Sequence, residues 1–408
     1  YKRQSQSGTP LYVYDEPTIR IMARQFVSEF TSRYPNTKVA YASKAFLNIS
    51  MAKIAEEENL ELDVVSGGEI AVAAAAGFPT AKMHFHGNNK TPSELSESVN
   101  SGVETIVVDG FQELDLLNEI ARDQNVVQGI MLRLSPSIDA HTHGHTTTGI
   151  LDVKFGFSIE TGESTVAIRQ ALQSSNLDLK GIHFHLGSPI FELEPYSTAI
   201  DTVFDYLAQF VPEGLNLREF SPGGGFAIGY TRESPPPPVS AYAEVITSML
   251  KNKCSDLNIE PPVLIIEPGR SIVGRAGVAV YTVGVIKEIP TVRTYVSLDG
   301  GMGDNIRPAL YGSEYEAVIA NKIIAEDEKI VTLAGKYCES GDLLVKDVLL
   351  PRIETGDIVA IPSSGAYCLA MSSNYNMNPR PAVVMVGNGQ SRLVRKRETY
   401  KDLMALDL

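Results

Sequence analysis

The sequence predicts an α/β protein: a (β/α)8, TIM-like barrel followed by a second, mostly β, barrel-like C-terminal domain. Three observations predict it. Between residues 38 and 267, eight apolar runs of strand length alternate with helix-type segments, which is the pattern of a closed parallel barrel. Past Pro268 the alternation stops, and strand-like runs follow one another without long helices. Polar residues of unusual kinds gather at the ends of the apolar runs, where a barrel of this type carries its working loops.

In chain order, Pro10–Tyr14 reads as a strand. Asp15-Glu-Pro-Thr then caps a helix whose apolar residues Ile19, Met22, Phe26 and Phe30 recur at helical spacing. Barrel strands are expected at Lys38–Ala42, Leu62–Val65, Lys82–Phe85, Thr105–Asp109, Gly129–Leu134, Leu179–His185, Arg218–Ser221 and Val263–Glu267. The helical pattern lies between them, at Asn48–Glu58, Gly68–Ala76, Phe111–Arg122, Ser164–Ser174, Tyr196–Phe210 and Val239–Lys251. Thr91-Pro-Ser-Glu94 opens a further helix as a capping box with proline at the first helical position, which satisfies amide donors that have no partner inside the helix. An open doubly wound sheet is the competing architecture. It would place a glycine-rich phosphate turn after the first strand, where this chain has Ser43-Lys44.

The second domain is expected to use strands at Gly277–Ile289, Thr294–Leu298, Lys329–Leu333, Leu343–Val348, Asp357–Ile361 and Ala382–Gly387. Residues 15–268 are assigned to the barrel, and residues 1–14 with 269–408 to the β domain. The run Pro235–Pro238 reads as a stiff surface spacer.

Composition narrows the function classes. The chain has 408 residues, 43% hydrophobic and 21% charged, which suits a soluble globular protein with a large core. Its net charge of −14 argues against nucleic acid or an anionic membrane as partner, since both demand basic surface. No apolar run approaches the length of a membrane span and the start is polar. Three scattered cysteines, Cys254, Cys338 and Cys368, fit a reducing compartment better than a disulfide framework. A cytoplasmic location is expected.

The strand ends carry the chemistry. They present Lys44, then Asp63 and Ser66, His84 and His86, Arg133, His183 and His185, Pro222-Gly-Gly-Gly225, and Glu267-Pro-Gly-Arg270. The run Gly223, Gly224, Gly225 lets backbone amides approach an anion such as a phosphate, although many glycine runs are only turns. His183 and His185 lie two apart on one strand and so face the same side. They read as satisfied core histidines, as a metal-binding pair, or as one ring lying flat against a planar cofactor. His141-Thr-His-Gly-His145 also resembles a ligand cluster, but its threonine- and glycine-rich setting suits a loop over the site better than a rigid cage, and no metal is assigned. Glu267 ends an apolar strand, so its carboxylate needs a partner when buried. A cationic ring nitrogen would serve. A lysine amine, an anion cradle, a flat support and a carboxylate for a ring nitrogen together describe a site for pyridoxal 5'-phosphate.

At this point the chain resembles the fold-type III, alanine-racemase-like group of pyridoxal-phosphate enzymes, and within it the diaminopimelate decarboxylase family. The likeness runs nearly end to end and rests on Tyr41-Ala-Ser-Lys-Ala45, His183-Phe-His-Leu-Gly-Ser188, Gly223-Gly-Gly-Phe226, Glu267-Pro-Gly-Arg-Ser271, Arg307-Pro-Ala-Leu-Tyr311, Cys338-Glu-Ser-Gly-Asp342 and Gly365-Ala-Tyr367. The resemblance implies that Lys44 holds the cofactor as a Schiff base and His185 stacks on its ring. Ser188, Gly223, Gly224, Gly225 and Tyr367 would grip the phosphate, and Glu267 would pair with the protonated ring nitrogen, which favours decarboxylation. Arg270 would bind the cofactor and, with Arg307 and Tyr311, hold a distal carboxylate, and Tyr367 would also touch the substrate.

The same resemblance implies a homodimer with shared active sites. Cys338 would reach the partner's cofactor as the proton donor, and Glu339 would recognise the distal ammonium. An arginine-rich distal site would repel ornithine or lysine as substrate, so meso-2,6-diaminopimelate going to L-lysine and CO2 is expected. Decarboxylation of ornithine, lysine, arginine or a carboxylated polyamine on the same fold is the runner-up, and a metal-dependent barrel hydrolase the distant rival.

Overall fold

In the computed structural model, which describes residues 8–139 and 152–408, the strands in chain order begin with β1 (Leu11–Asp15), β2 (Thr37–Ala42), β3 (Glu61–Val64), β4 (Met83–Phe85), β5 (Thr105–Val108), β6 (Gln128–Ser135), β7 (Phe157–Ser158), β8 (Leu177–His183), β9 (Glu219–Gly223) and β10 (Val263–Ile266). They continue with β11 (Gly277–Ile289), β12 (Arg293–Leu298), β13 (Val318–Ile319), β14 (Lys329–Ala334), β15 (Leu343–Leu350), β16 (Ile358–Ile361), β17 (Ala382–Gly387) and β18 (Gln390–Arg395). The polar run His141–His145 lies outside the described residues. By contact density the chain forms two compact units. One comprises Met22–Ala227 with Pro236–Gly269; the other comprises the residues up to Ile21, Ile228–Pro235 and Arg270–Leu408.

The first unit is the expected barrel. Its strands pair in the order β5-β4-β3-β2-β10-β9-β8-β6, and β5 joins β6 to close the ring, with Ile106 opposite Ile130. Every pair in the ring is parallel. The period-two alternation of a strand then stacks the inward side chains in layers. Ala40, Val107, Met131 and Ile265 form an apolar middle layer. One step toward the strand starts lie Lys38, Glu61 and His84, and one step toward the strand ends lie Asp63, Arg133, His183 and Glu267. Outward residues such as Tyr41, Leu264 and Ile266 are fully buried as well, because helices cover the barrel.

Three of those helices start where a side chain satisfies a first-turn amide. Asn48 accepts from the Met51 amide at 2.9 Å, Ser66 from that of Glu69 at 3.2 Å, and Thr91 with Glu94 forms the expected capping box.

In the second unit the sheet order is β15-β14-β12-β11-β1-β17-β18, with β16 paired to β11 and β13 to β16. β1 runs antiparallel to β11 and parallel to β17, placing Leu11 opposite Val280 and Ala382. Leu11, Ala382 and Val384 form a small buried core there, flanked by Val13, Val280 and Val386. β18 had no counterpart in the sequence reading. Its residues Gln390-Ser-Arg-Leu-Val-Arg are polar and largely exposed, as an edge strand requires, so no apolar alternation marks it. The segment Ile228–Pro235 groups with this unit, and the passage into the barrel falls inside the tetraproline run, whose last member Pro238 directly precedes the helix Val239–Asp256.

Candidate active site

At the strand ends of the barrel unit, β2 and β10 lie side by side and bring Lys44 and Glu267 into one group. The Ala42 amide donates to the Pro268 carbonyl at 3.2 Å, and a methyl group at Gly269 would stand 2.9 Å from the Ala42 β-carbon. The close packing of the two chain segments depends on that glycine. Lys44 follows on a short 3-10 turn, Ser43–Ala45, and its Nζ donates to Asp63 Oδ2 at 3.1 Å.

Glu267 is buried and well supplied with partners. Ser221 donates to Oε1 at 2.7 Å, His183 Nε2 lies 3.2 Å from Oε2, and His86 Nε2 lies 3.7 Å from Oε1. Burial raises the carboxyl, but His183, His86 and Lys44 outweigh it and hold Glu267 well below the usual carboxylate range. Asp63 is equally buried, with Lys44 bonded to it at 3.1 Å and His86 Nε2 at 3.8 Å. Burial, reinforced by the Glu267 charge, outweighs that lysine and raises Asp63. Of the two carboxylates, Glu267 is therefore the firmly ionised one.

The donor atoms of His86, His183 and Glu267 all fall within 4.8 Å of one another. This trio, rather than His183 with His185, is what a divalent cation could use. His185 has turned elsewhere: its Nδ1 accepts from the Gly224 amide at 3.2 Å. Burial and the charges of Lys44 and Arg133 hold its imidazole well below the usual range, so it is a neutral flat ring. Phe184 points to the opposite side, against Phe220 at 5.8 Å between centroids.

The glycine turn after β9 leaves no room for side chains. A methyl group at Gly223 would lie 2.6 Å from the Phe184 carbonyl oxygen, at Gly224 2.1 Å from that of Glu267, and at Gly225 2.6 Å from that of Gly187. Gly223 and Gly225 also have φ of +76° and +103°, a backbone region glycine enters freely. Tyr196 OH donates to the Gly224 carbonyl at 2.7 Å and steadies the turn. Amine, neutral flat ring, ionised buried carboxylate and side-chain-free turn are the donor set that pyridoxal phosphate requires, so the residues present fit it. Ser188 closes the same segment as His185 and is half-buried.

The second unit gathers Arg270, Arg307 and Tyr367. Arg270 donates to Tyr230 OH, and Arg307 donates to the same oxygen at 2.6 Å and to Tyr315 OH at 2.8 Å. The Arg270 guanidinium lies 4.8 Å from the Tyr367 ring centroid. Tyr367 adopts φ +59°, an uncommon conformation for a bulky residue. Arg307 and Tyr311 open and close one short helix, Arg307–Tyr311, with Pro308 in its first turn as expected. Tyr230 and Tyr315 were absent from the sequence reading. Neither sits in a motif, and a loop tyrosine carries no periodic signal.

Cys338 and Glu339 stand on an exposed loop. Asp342 anchors it by accepting from the Met302 and Tyr337 amides at 2.6 and 2.8 Å. Asn376 accepts from the Cys338 amide at 2.8 Å, and Tyr337 stacks on Tyr375 at 6.1 Å. Among the described residues, neither Cys338 nor Glu339 bonds to Arg270, Arg307 or Tyr367. The sequence reading also missed Asn376.

The chain is similar to known proteins over nearly its whole length. Residues 20–274 match the family described as pyridoxal-dependent decarboxylase, pyridoxal binding domain. A diaminopimelate decarboxylase of Bacillus subtilis is 48% identical over 407 residues, covering 98% of this chain and 92% of that protein. The Bacillus methanolicus counterpart is 47% identical over 98% of this chain and 93% of its own. A crystal structure of diaminopimelate decarboxylase from M. jannaschii in complex with L-lysine superposes with a TM-score of 0.94 at 34% identity, covering 100% of this chain and 94% of that one.

Proposed function

The chain belongs to the pyridoxal-dependent decarboxylases, and from that membership we propose the conversion it performs and the residues that perform it. The reaction is decarboxylation of meso-2,6-diaminopimelate to L-lysine and CO2. Since the substrate has one L and one D centre and the product is L, the carboxylate lost is that of the D centre. The observation that carries the reading is Glu267, a buried carboxylate held ionised by His183 and His86.

Pyridoxal phosphate, when bound, supplies a protonated ring that takes up the electron pair left by departing CO2. Glu267 would pair with the ring nitrogen and favour its protonated form. Lys44 would hold the cofactor through its amine, with Asp63 as its counter-charge. His185, neutral and flat, supports the ring. Gly223, Gly224, Gly225, Ser188 and Tyr367 receive the phosphate.

Arg270, Arg307 and Tyr311 hold the carboxylate that the product retains, and Glu339 takes the ammonium beside it. Cys338 supplies the proton that replaces CO2 on the reacting carbon: the C–C bond breaks, S–H gives its proton, and carbon receives it. The exposure of Cys338 and Glu339 on their own chain supports a homodimer in which each subunit lends this loop to its partner's site. We assign the cofactor to the barrel of residues 15–268, and substrate recognition and the dimer contact to residues 1–14 and 269–408. Among the described residues no helix is long and apolar enough to cross a membrane. With three free cysteines, a reducing cytoplasm suits the protein.

The test is CO2 release from meso-2,6-diaminopimelate against ornithine, lysine and arginine, each at equal concentration. Release from the first alone is expected. Preference for a plain diamino acid would overturn the substrate assignment.

A further inference from the structure

We propose that Tyr230 is a positioning and specificity residue: its phenol oxygen takes a hydrogen bond from both Arg270 and Arg307 and sets the two guanidiniums around one carboxylate-sized site. The proposal rests on the substrate reading above and extends it to a residue outside every recognised motif.

Arg307 is 4% exposed. Its described partners are all neutral: Tyr230 OH at 2.6 Å, Tyr315 OH at 2.8 Å and Ser313 Oγ at 3.3 Å. Its Nε has no partner among the described residues, and none of their carboxylates forms an ion pair with it. A buried cation satisfied only by dipoles is arranged for an anion that arrives with the ligand.

Arg270 donates to the same phenol oxygen. Two like charges meeting at one atom repel, and the tyrosine is what makes the approach tolerable. Its oxygen has two lone pairs, one for each guanidinium. Its ring also faces both cations, with the Arg307 and Arg270 carbons 4.8 and 5.7 Å from the centroid. The ring is itself fixed edge-on against Tyr315 at 5.3 Å.

With both lone pairs engaged, the phenol proton has no acceptor among the described residues. The Arg307 Nε and the Tyr230 hydroxyl thus present donors without an acceptor among the described residues, which is the complement of a carboxylate. A ligand whose distal end is an ammonium alone has no anion to offer Arg307 and Arg270.

L-lysine keeps the distal carboxylate, whereas 1,5-diaminopentane has the same chain without it, so the two ligands isolate the contact. Holoenzyme is titrated with each, following the visible absorbance of the bound cofactor, in wild type and in Tyr230→Phe. The variant is expected to weaken L-lysine about tenfold or more, to change 1,5-diaminopentane by less than about twofold, and to raise KM for meso-2,6-diaminopimelate more than it lowers kcat. Tyr315→Phe, which frees a donor of Arg307 alone, should weaken L-lysine by less.

Unchanged L-lysine affinity in Tyr230→Phe, or equal weakening of both ligands, would overturn the proposal, as would a larger loss in Tyr315→Phe. The substrate assignment fails on the wild type alone, by absence of CO2 release. The Tyr230 proposal fails on the ratio between wild type and variant.

Discussion

Lys44 Nζ lies 3.1 Å from Asp63 Oδ2, and Asp63 is completely buried beneath it. The pair comes from the ends of neighbouring parallel strands, where Ala42 lies opposite Asp63. The carboxylate balances the lysine charge in the resting protein and orients the amine. Lys44→Ala is expected to abolish both turnover and borohydride labelling of the chain. Asp63→Asn should keep the label and lose about 10- to 100-fold in turnover, the weight of a charged hydrogen bond. Full activity in Asp63→Asn would remove its orienting role.

Glu267 offers a second test. Replacing it with glutamine keeps the shape and an acceptor for Ser221 while discarding the charge that His183 and His86 stabilise. Glu267→Gln should retain cofactor, seen as an unchanged visible band intensity per subunit, and lose at least about 100-fold in kcat. A variant within a few-fold of wild type would show that ring protonation does not depend on this carboxylate.

Cys338 on its exposed loop leads to a complementation experiment. Cys338→Ala should bind cofactor normally and turn over about 100- to 10,000-fold more slowly, the usual range for a general acid. Mixing Lys44→Ala with Cys338→Ala subunits under exchange should restore about a quarter of wild-type activity, since half the dimers are mixed and each has one complete site. No recovery after confirmed exchange would count against shared sites.

At the other end of the barrel, His84 Nε2 lies 2.6 Å from Glu61 Oε2, and Lys38 lies 3.0 Å from Glu61 Oε1. Burial lowers His84, but Glu61 outweighs it and its pKa is raised; burial raises Glu61, but His84 and Lys38 outweigh it and its pKa is lowered. The raised histidine contributes stability that is complete below about pH 6.5 and is lost as pH rises through its folded value. The lowered glutamate contributes stability that is complete above about pH 4.3 and is lost as pH falls through its folded value. The joint contribution is therefore greatest between about pH 4.3 and 6.5. Urea unfolding of wild type and His84→Gln should differ by about 2 kcal/mol near pH 5.5, and by less at pH 9. A difference that grows with pH would refute the assigned direction.

Much of this molecule was legible in advance, and the reasons differ by element. All eight barrel strands were placed because a strand covered on both faces has to be apolar, and three of the helix starts between them are capped by their own side chains, at Asn48, Ser66 and Thr91. The edge strand Gln390–Arg395 escaped because exposure removes the pattern. His183 and His185 were singled out together, yet their partners were not foreseeable. Glu267 for one and Gly224 for the other come from β10 and from the turn after β9, and no spacing along β8 encodes a neighbour across the ring.

The sequence by itself determined the barrel, the lysine at the end of its first strand, the glycine turn, the buried glutamate and the family, because each is written in local periodicity or in a short motif. Tertiary structure alone decided which of two buried carboxylates is firmly ionised, since that depends on how closely His183, His86 and Lys44 stand to each and on the bond from His183 to Glu267. It also decided that Arg270 and Arg307 share the oxygen of Tyr230. Those three residues are separated by 40 and 37 positions along the chain, and the forces between them act through space, where sequence distance has no meaning.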